Sequence, residues 1–417
     1  MTLNLRMAWR NLWRHKRRTW LTVTAMIFSN VLLVFMISLQ FGSYEMMIVN
    51  TLQTFSGHLQ VQAAGYQDNP RLRTSIPAIE SLAQALQQTL RETLPGVRAA
   101  PRAAAFALAS SERRSFAIQL VGVQPSAEPG VSTLPGLVTS GRYLRDGGDP
   151  EIVIGTVMSR NLKAGVGDEI TLLGAGRDGS FAAGVVTVVG VFDSGSADMD
   201  RGIAEVPLDW FQDAFAMADH GNTIAIAVER LADVPPAVRV AAAMASARGD
   251  EAGPLLVLDW NDLYPGLRQA IQADLFSGWF MYGVLIFLVA FSVLNTQLMS
   301  VLERTREFGV ISALGIRPRK LAALVMLETA QMALIGLGVG LLLGWLVAQY
   351  FNVHGFSYPG MEEIAERYNL PGEMYPRVTF GTLLLGPSVV FAFCLLAAIY
   401  PALRLFRLRP VEAMRAA

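Results

Sequence analysis

Charge and cysteine are what this chain has least of. Only 16% of its 417 residues are Asp, Glu, Lys or Arg, where an average soluble domain carries about 25%. The deficit is uneven: long uncharged stretches sit beside segments of ordinary polarity, which points to membrane spans plus a water-soluble domain. Cys394 is the only cysteine and lies in an apolar run. A disulfide frame and a cysteine-based metal site are therefore excluded, and Cys394 reads as a small core residue. His58 and His220 are isolated, with no carboxylate at ligand spacing. Asp193, Asp198 and Asp200 lie close together, but nothing around them enforces the oxygen geometry of a calcium loop, so they read as a solvated turn. No set of nucleophile, base and metal ligands is visible, so the chain is not expected to be an enzyme. The dipeptide Gly-Lys never occurs, which excludes a Gly-x-x-x-x-Gly-Lys-Ser/Thr phosphate loop and an ATP-binding motor of that kind. No metal, cofactor or nucleic-acid partner is expected.

What is present is apolar length. A bilayer core needs about 20 apolar residues in a helix, and four stretches meet that: residues 19–44, 275–302, 321–351 and 378–403. The first is too long for the apolar core of a cleavable signal, and no small-residue cleavage site follows it. Lys and Arg gather on alternate flanks. Arg6, Arg10, Arg14, Lys16, Arg17 and Arg18 precede the first stretch; Arg304, Arg306, Arg317, Arg319 and Lys320 lie between the second and third; Arg404, Arg407, Arg409 and Arg415 follow the fourth. The loop at 352–377 instead carries Glu362, Glu363, Glu366 and Glu373 against Arg367 and Arg377. The positive-inside rule then places both ends and residues 303–320 in the cytoplasm, with 45–274 and 352–377 outside.

Residues 1–18 carry a second pattern. Arg6, Arg10, Arg14 and Arg17 follow helical spacing, and Leu5, Trp9, Leu12 and Trp13 take the other side. This reads as an amphipathic helix in the cytoplasmic interface, anchored by Arg6, Trp9, Arg10, Trp13 and Arg14, with a merely positive flank as the alternative.

Residues 45–274 are too long for a connecting loop and must fold. Strands are expected at 58–62, 116–123, 151–154, 169–173, 185–192, 223–228 and 255–258, and helices at 77–94, 208–217 and 236–247. The order suggests two α/β pieces, at 52–135 and 215–262, flanking a β-rich insert at about 150–205. The expected fold is thus an α-helical membrane protein with four transmembrane helices and a mixed α/β extracytoplasmic domain inserted between the first two.

Inside the third stretch, Gly336, Gly340 and Gly344 recur every fourth residue, which permits close helix contact, although membrane helices are Gly-rich in any case. Glu328 lies in the same stretch. An ionisable group there is costly and is usually partnered or functional; it could accept a proton, pair with a basic residue or snorkel to the interface.

The most informative segment runs Glu303-Arg304-Thr305-Arg306-Glu307-Phe308-Gly309-Val310-Ile311-Ser312-Ala313-Leu314-Gly315. Its charges let the second span extend into the cytoplasm; a short helix carrying Phe308, Val310, Ile311 and Leu314 follows, with Gly315 placed to cap it. An apolar face on so small a helix calls for a covering surface, such as a groove on a partner protein.

The pattern Glu303-Arg304-x-Arg306-Glu307-x-Gly309, followed by Ala313-Leu314-Gly315, resembles the coupling segment of the FtsX/MacB-type (type VII) ABC transporter permeases. The resemblance extends along the chain: one span, a large external domain with a MacB-like periplasmic core, then three spans. Gly155 and the run from Lys163 to Thr171 resemble a recurrent segment of that family. Val189–Ser196, Asp200, Pro207, Leu208 and Gln212 look most like the lipoprotein-release permeases LolC and LolE. The resemblance implies a permease subunit of the bacterial inner membrane, with ATP and Mg bound by a separate ATPase present in two copies. A second permease, identical or paralogous, would complete the assembly, in contact with membrane lipid and with a periplasmic lipoprotein carrier or adaptor. Residues 303–315 would contact the ATPase, and the first two spans would carry its motion outward. Release of lipoprotein or lipidated cargo is the leading expectation. Efflux of an antibiotic or peptide by a tripartite pump, or FtsX-like regulation of a cell-wall hydrolase, are the alternatives.

Overall fold

Long uncharged runs of Leu, Val, Ile and Phe satisfy their backbone only as helix where no water is at hand, and the computed structural model begins with such a run. It describes residues 2–14, 16–247, 253–361, 365 and 372–407. Glu362, Glu363, Glu366, Arg367, Arg409 and Arg415 lie outside the described residues. The chain forms two units, one of residues 1–44, 270–358 and 373–417, the other of residues 45–269 and 359–372. The amphipathic arm is not one helix through residue 18. Helix α1 (Thr2–Leu12) ends in a turn in which the Arg14 amide donates to the Asn11 carbonyl (3.2 Å), and Arg17 already belongs to α2 (Lys16–Thr51). Helix α2 runs on past residue 44 and closes in a π-helical turn (Leu52–Ser56), ended by Gly57 at φ 72°.

The second unit is built on one ten-stranded sheet. Its elements are β1 (Leu59–Ala63), β2 (Ile76–Pro77), α3 (Ile79–Thr93), β3 (Arg98–Ser110), β4 (Ser115–Val123), β5 (Val138–Gly141), β6 (Glu151–Gly155), α4 (Thr156–Leu162), β7 (Glu169–Ala175), β8 (Phe181–Phe192), α5 (Ala197–Gly202), β9 (Ile203–Pro207), α6 (Leu208–Ala214), β10 (His220–Gly221), β11 (Thr223–Ala227), α7 (Val234–Ala247), β12 (Leu255–Asp259) and α8 (Trp260–Leu263). The order β12-β1-β11-β3 is antiparallel throughout. With α3 after β1 and α7 after β11, this is a βαββαβ unit, and its core holds Leu82, Leu86 and Leu90 of α3 with Ala237 and Ala241 of α7.

The expected two α/β pieces are therefore one ferredoxin-like unit, and the same sheet continues through β4, then β9, β6 and β8, to β5, with β7 on β3 and β8. Strand β3 joins the halves: residues 98–102 pair with β11 and 102–110 with β4. Sequence patterning misses it because it is rich in Ala, a poor strand former. Ala103, Ala105, Ala107 and Ala109 nonetheless alternate into the core that also holds Phe211 of α6 and Phe215 just after it.

The chain returns to helices with α9 (Pro265–Glu303), α10 (Thr305–Ala313), α11 (Pro318–His354) and α12 (Phe380–Arg404). Helices α2, α9, α11 and α12 are each long and apolar enough to cross a membrane. In the first unit Met26, Leu33 and Ile37 of α2 pack with Ile286, Val289 and Val293 of α9, Met332 and Leu337 of α11, and Val390 and Cys394 of α12. Phe276, Phe280 and Phe287 of α9 and Phe380 of α12 point outward, as expected of side chains facing lipid.

Candidate functional site

The segment singled out by sequence is the bend between α9 and α10. The backbone leaves helical geometry at Arg304 (φ −99°, ψ 12°), and α10 ends at Leu314 and Gly315, the latter at φ 91°. Glycine reaches that conformation at least cost; its amide donates to the Ser312 carbonyl (3.0 Å), and α11 then starts on Pro318. The apolar residues of α10 divide. Phe308 and Gly309 are buried, Phe308 packing on Val301, Leu321, Val325 and Leu405, with Ile311 half-buried beside them. Val310, Leu314 (79% exposed) and Ile316 face outward, as do Arg306 and Ala313.

The charges of the segment turn inward. Arg304, 8% exposed, donates from Nη1 to both oxygens of Glu328 (3.0 and 3.3 Å), which is 5% exposed on α11. Asn11 at the end of α1 donates to the same carboxylate (2.7 Å). The Arg304 guanidinium also lies 4.9 Å from the Phe308 ring centroid and 3.5 Å from Glu307, which pairs with Arg14 (2.7 Å). Glu303 takes a two-pronged bond from Arg18. Ion pairs and the Asn11 hydrogen bond thus gather the ends of α1, α2 and α9 with α10 and α11. A buried pair adds little stability, but removing one partner leaves an uncompensated charge worth about 3–5 kcal/mol. The sequence signalled that Glu328 needed a partner; its identity was not readable.

Two further features position these helices. Gly336, Gly340 and Gly344 are buried against Met26, Asn30 and Val34 of α2, and a Cβ at each would stand 2.8–2.9 Å from those side chains. Helices α2 and α9 are joined at both ends of their shared length: Thr22 meets Thr296 (2.8 Å) beside Arg18–Glu303, while Gln40 accepts from Tyr282 (2.8 Å) and Tyr44 donates to Asp274 (2.5 Å). On α1, Ala8 and Leu12 are buried and Arg6, Trp9 and Arg10 exposed; in the turn after it Trp13 is half-buried and Arg14 exposed. Leu5, expected on the apolar side with Leu12, is exposed at 40%.

In the α/β unit no sequence motif marked the polar group that matters most. Arg102 of β3 and Glu128 are a buried ion pair, with Arg102 Nε 3.1 Å from Glu128, and the Phe55 ring of the π-turn covers the guanidinium at 4.6 Å. Ser132 and Thr133 bond to the carbonyls of Thr54 and Gln53 in that turn (2.9 and 2.7 Å). Glu205 of β9 is fully buried beside them; Tyr143 donates to one of its oxygens (2.7 Å), and the other has no partner among the described residues. Burial, reinforced by the Glu128 carboxylate, pushes Glu205 up to about 8. Burial likewise raises the Tyr143 phenol. His58 is buried, accepts from the Val228 amide (3.2 Å) and is held below its ordinary range by burial, so it serves as a neutral structural group. His220 bonds the Ala218 carbonyl (2.7 Å). The Asp200 carboxylate is occupied by Ser194 and Thr156, and Gly155 lets the Asp200 backbone approach β6.

Comparison with known proteins gives a consistent result. A family model described as FtsX-like permease C-terminal matches residues 279–410, and one described as MacB-like periplasmic core domain matches residues 19–248. The chain is 27% identical over 337 residues to the lipoprotein-releasing system transmembrane protein LolC of Xylella fastidiosa (strain Temecula1), covering 76% of this chain and 77% of that protein. It is 24% identical over 234 residues to the uncharacterized ABC transporter permease YknZ of Bacillus subtilis (strain 168), covering 55% and 54%. The crystal structure of the periplasmic region of MacB from Actinobacillus actinomycetemcomitans aligns with 54% of this chain and 95% of its own, at 14% identity and a TM-score of 0.36. The chain belongs to the FtsX-like permeases that carry a MacB-like periplasmic core domain, and is an ABC transporter permease of the LolC/MacB type.

Proposed function

We propose that this chain is the membrane subunit through which a separate ATPase drives movement of an extracytoplasmic domain, releasing lipoprotein or other lipidated cargo from the inner membrane. The observation that carries the reading is the α9/α10 segment: its charged residues Glu303, Arg304 and Glu307 are engaged within the helices, leaving Arg306, Val310, Leu314 and Ile316 as an outward apolar face with a basic rim. Such a face fits a groove on a partner protein. The basic flanks place it, and both ends of the four-helix segment, in the cytoplasm of a bacterial cell. Helices α2 and α9 then act as stalks, their ion pairs and hydrogen bonds making them move together. Two ATPase subunits, binding ATP and Mg, and a second permease complete the complex; similarity to LolC favours a lipoprotein as cargo and a periplasmic carrier as recipient.

The test is gentle affinity purification from native membranes, with a photocrosslinker in place of Leu314 and mass spectrometry of everything retained. An ATP-binding-cassette subunit crosslinked at Leu314, together with lipidated protein, supports the reading. Recovery of an outer-membrane channel and adaptor would redirect it to efflux. Absence of any ATPase from the crosslinked material would sink the coupling role.

A further inference from the structure

The α9/α10 bend has no hydrogen-bonded cap of its own: no side chain caps the start of α10, and the backbone at Arg304 lies outside helical geometry. Local bonds span it, from the Arg304 amide to Ser300, the Phe308 amide to Arg304 and the Thr305 hydroxyl to Val301; the long-range tie is the Arg304 side chain, which folds back across Phe308 and reaches Glu328 on α11, 24 positions away. Glu328 in turn is gripped by Asn11, at the last turn of α1. Both partners of the ion pair are buried, so neither can be exchanged for water when the other is lost. Elsewhere α10 meets the bundle through Phe308 and half-buried Ile311, and through Glu307, which pairs with Arg14.

We propose that Glu328 is a positioning residue: through Arg304 it locks the angle at which α10 leaves α9, and so aims Arg306, Val310, Leu314 and Ile316 at the partner. This rests on the coupling role of α10 proposed above. Glu328 makes no contact with that outward face; its influence runs through Arg304 and the bend. The same carboxylate ties α1 to the bend, alongside the Arg14–Glu307 pair, so a shift of α1 is felt at α10.

The experiment uses the full chain in lipid nanodiscs with Cys394, the only cysteine, changed to alanine. Spin labels at Leu314 and Met299 report the α9/α10 angle, and labels at Met299 and Val339 report α9 against α11; all three positions are exposed. Glu328→Gln should turn a single narrow Leu314–Met299 distance into a broad or multiple one, while the Met299–Val339 distance stays as in the parent. The exchange Arg304→Glu with Glu328→Arg should restore the single distance. An unchanged Leu314–Met299 distance in Glu328→Gln would overturn the proposal. So would equal broadening of both pairs, which marks a general loss of packing, or failure of the charge exchange to restore the bend. If Leu314 never crosslinks to an ATPase in the parent protein, the coupling role fails, yet the distances still decide whether Glu328 sets the bend.

Discussion

Replacing Glu205 by Gln should remove a pH dependence of stability that the wild-type α/β domain carries. The folded carboxyl keeps its proton up to about 8, whereas an ordinary glutamate releases it near 4.5. Between those values the folded state binds more protons than the unfolded one, so stability is greatest at the acid end and falls as pH rises. Each pH unit in the window removes about 1.4 kcal/mol, or about 5 kcal/mol across the whole of it. From pH 6 to pH 8 the loss is about 2 kcal/mol, because the slope fades near 8, a fall in melting temperature of roughly 4–8 °C for a domain of this size. Gln fills the same space, still accepts from Tyr143 and carries no charge to desolvate, so the variant should melt at nearly constant temperature over that range and exceed wild type at pH 8. Thermal melting of the full chain in nanodiscs, paired with hydrogen exchange of peptides from β3 and β9, separates this domain from the helices. Equal pH slopes for wild type and Glu205→Gln, or a wild type that gains stability from pH 6 to pH 8, would refute the argument.

Gly340→Leu should force α2 and α11 apart, since even a Cβ there stands 2.8 Å from Asn30 Cβ; overpacking of this kind costs about 1–3 kcal/mol, and a melting temperature equal to wild type would remove the close contact from the account. Leu314→Asp, at a position 79% exposed, should change stability by no more than about 0.5 kcal/mol while abolishing co-purification of the ATPase; normal recovery would place the contact elsewhere. Arg18→Ala breaks a pair whose side chains are about a third exposed and should cost no more than about 1 kcal/mol, so a large loss of stability would show that Arg18–Glu303 does more than join α2 to α9. Arg102→Ala leaves Glu128 buried without a cation and should destabilise the α/β domain by about 3–5 kcal/mol, read by the same hydrogen-exchange peptides.

Four helices, a folded segment between the first two, and the short helix ended by Gly315 are legible from residue order alone, because each is a local pattern: apolar length, alternation, and a glycine where the chain must turn. Helix ends are less so. Helix α2 continues to Thr51 and α9 begins at Pro265, since polar residues such as Glu45 and Gln269 form helix readily once the apolar run ends. Strand β3 was invisible because its alanines favour helix in isolation; only pairing with β4 and β11 makes them a strand.

Apolar period, glycine spacing and the distribution of arginine are written along the chain, and they suffice for the class of protein, its four apolar helices and the segment that stands out for coupling. Partners are not written there. Arg18–Glu303 and Asn11–Glu328 join residues 285 and 317 positions apart, and Arg102, Glu128, Tyr143 and Glu205 come together from four separate elements. Which charges of the Glu303–Gly315 segment face outward, which glycine meets which helix, and which carboxyl keeps its proton depend on burial and on long-range approach. Those are fixed only when the elements pack, because desolvation and close contact are properties of the assembled interior and of no single stretch of chain.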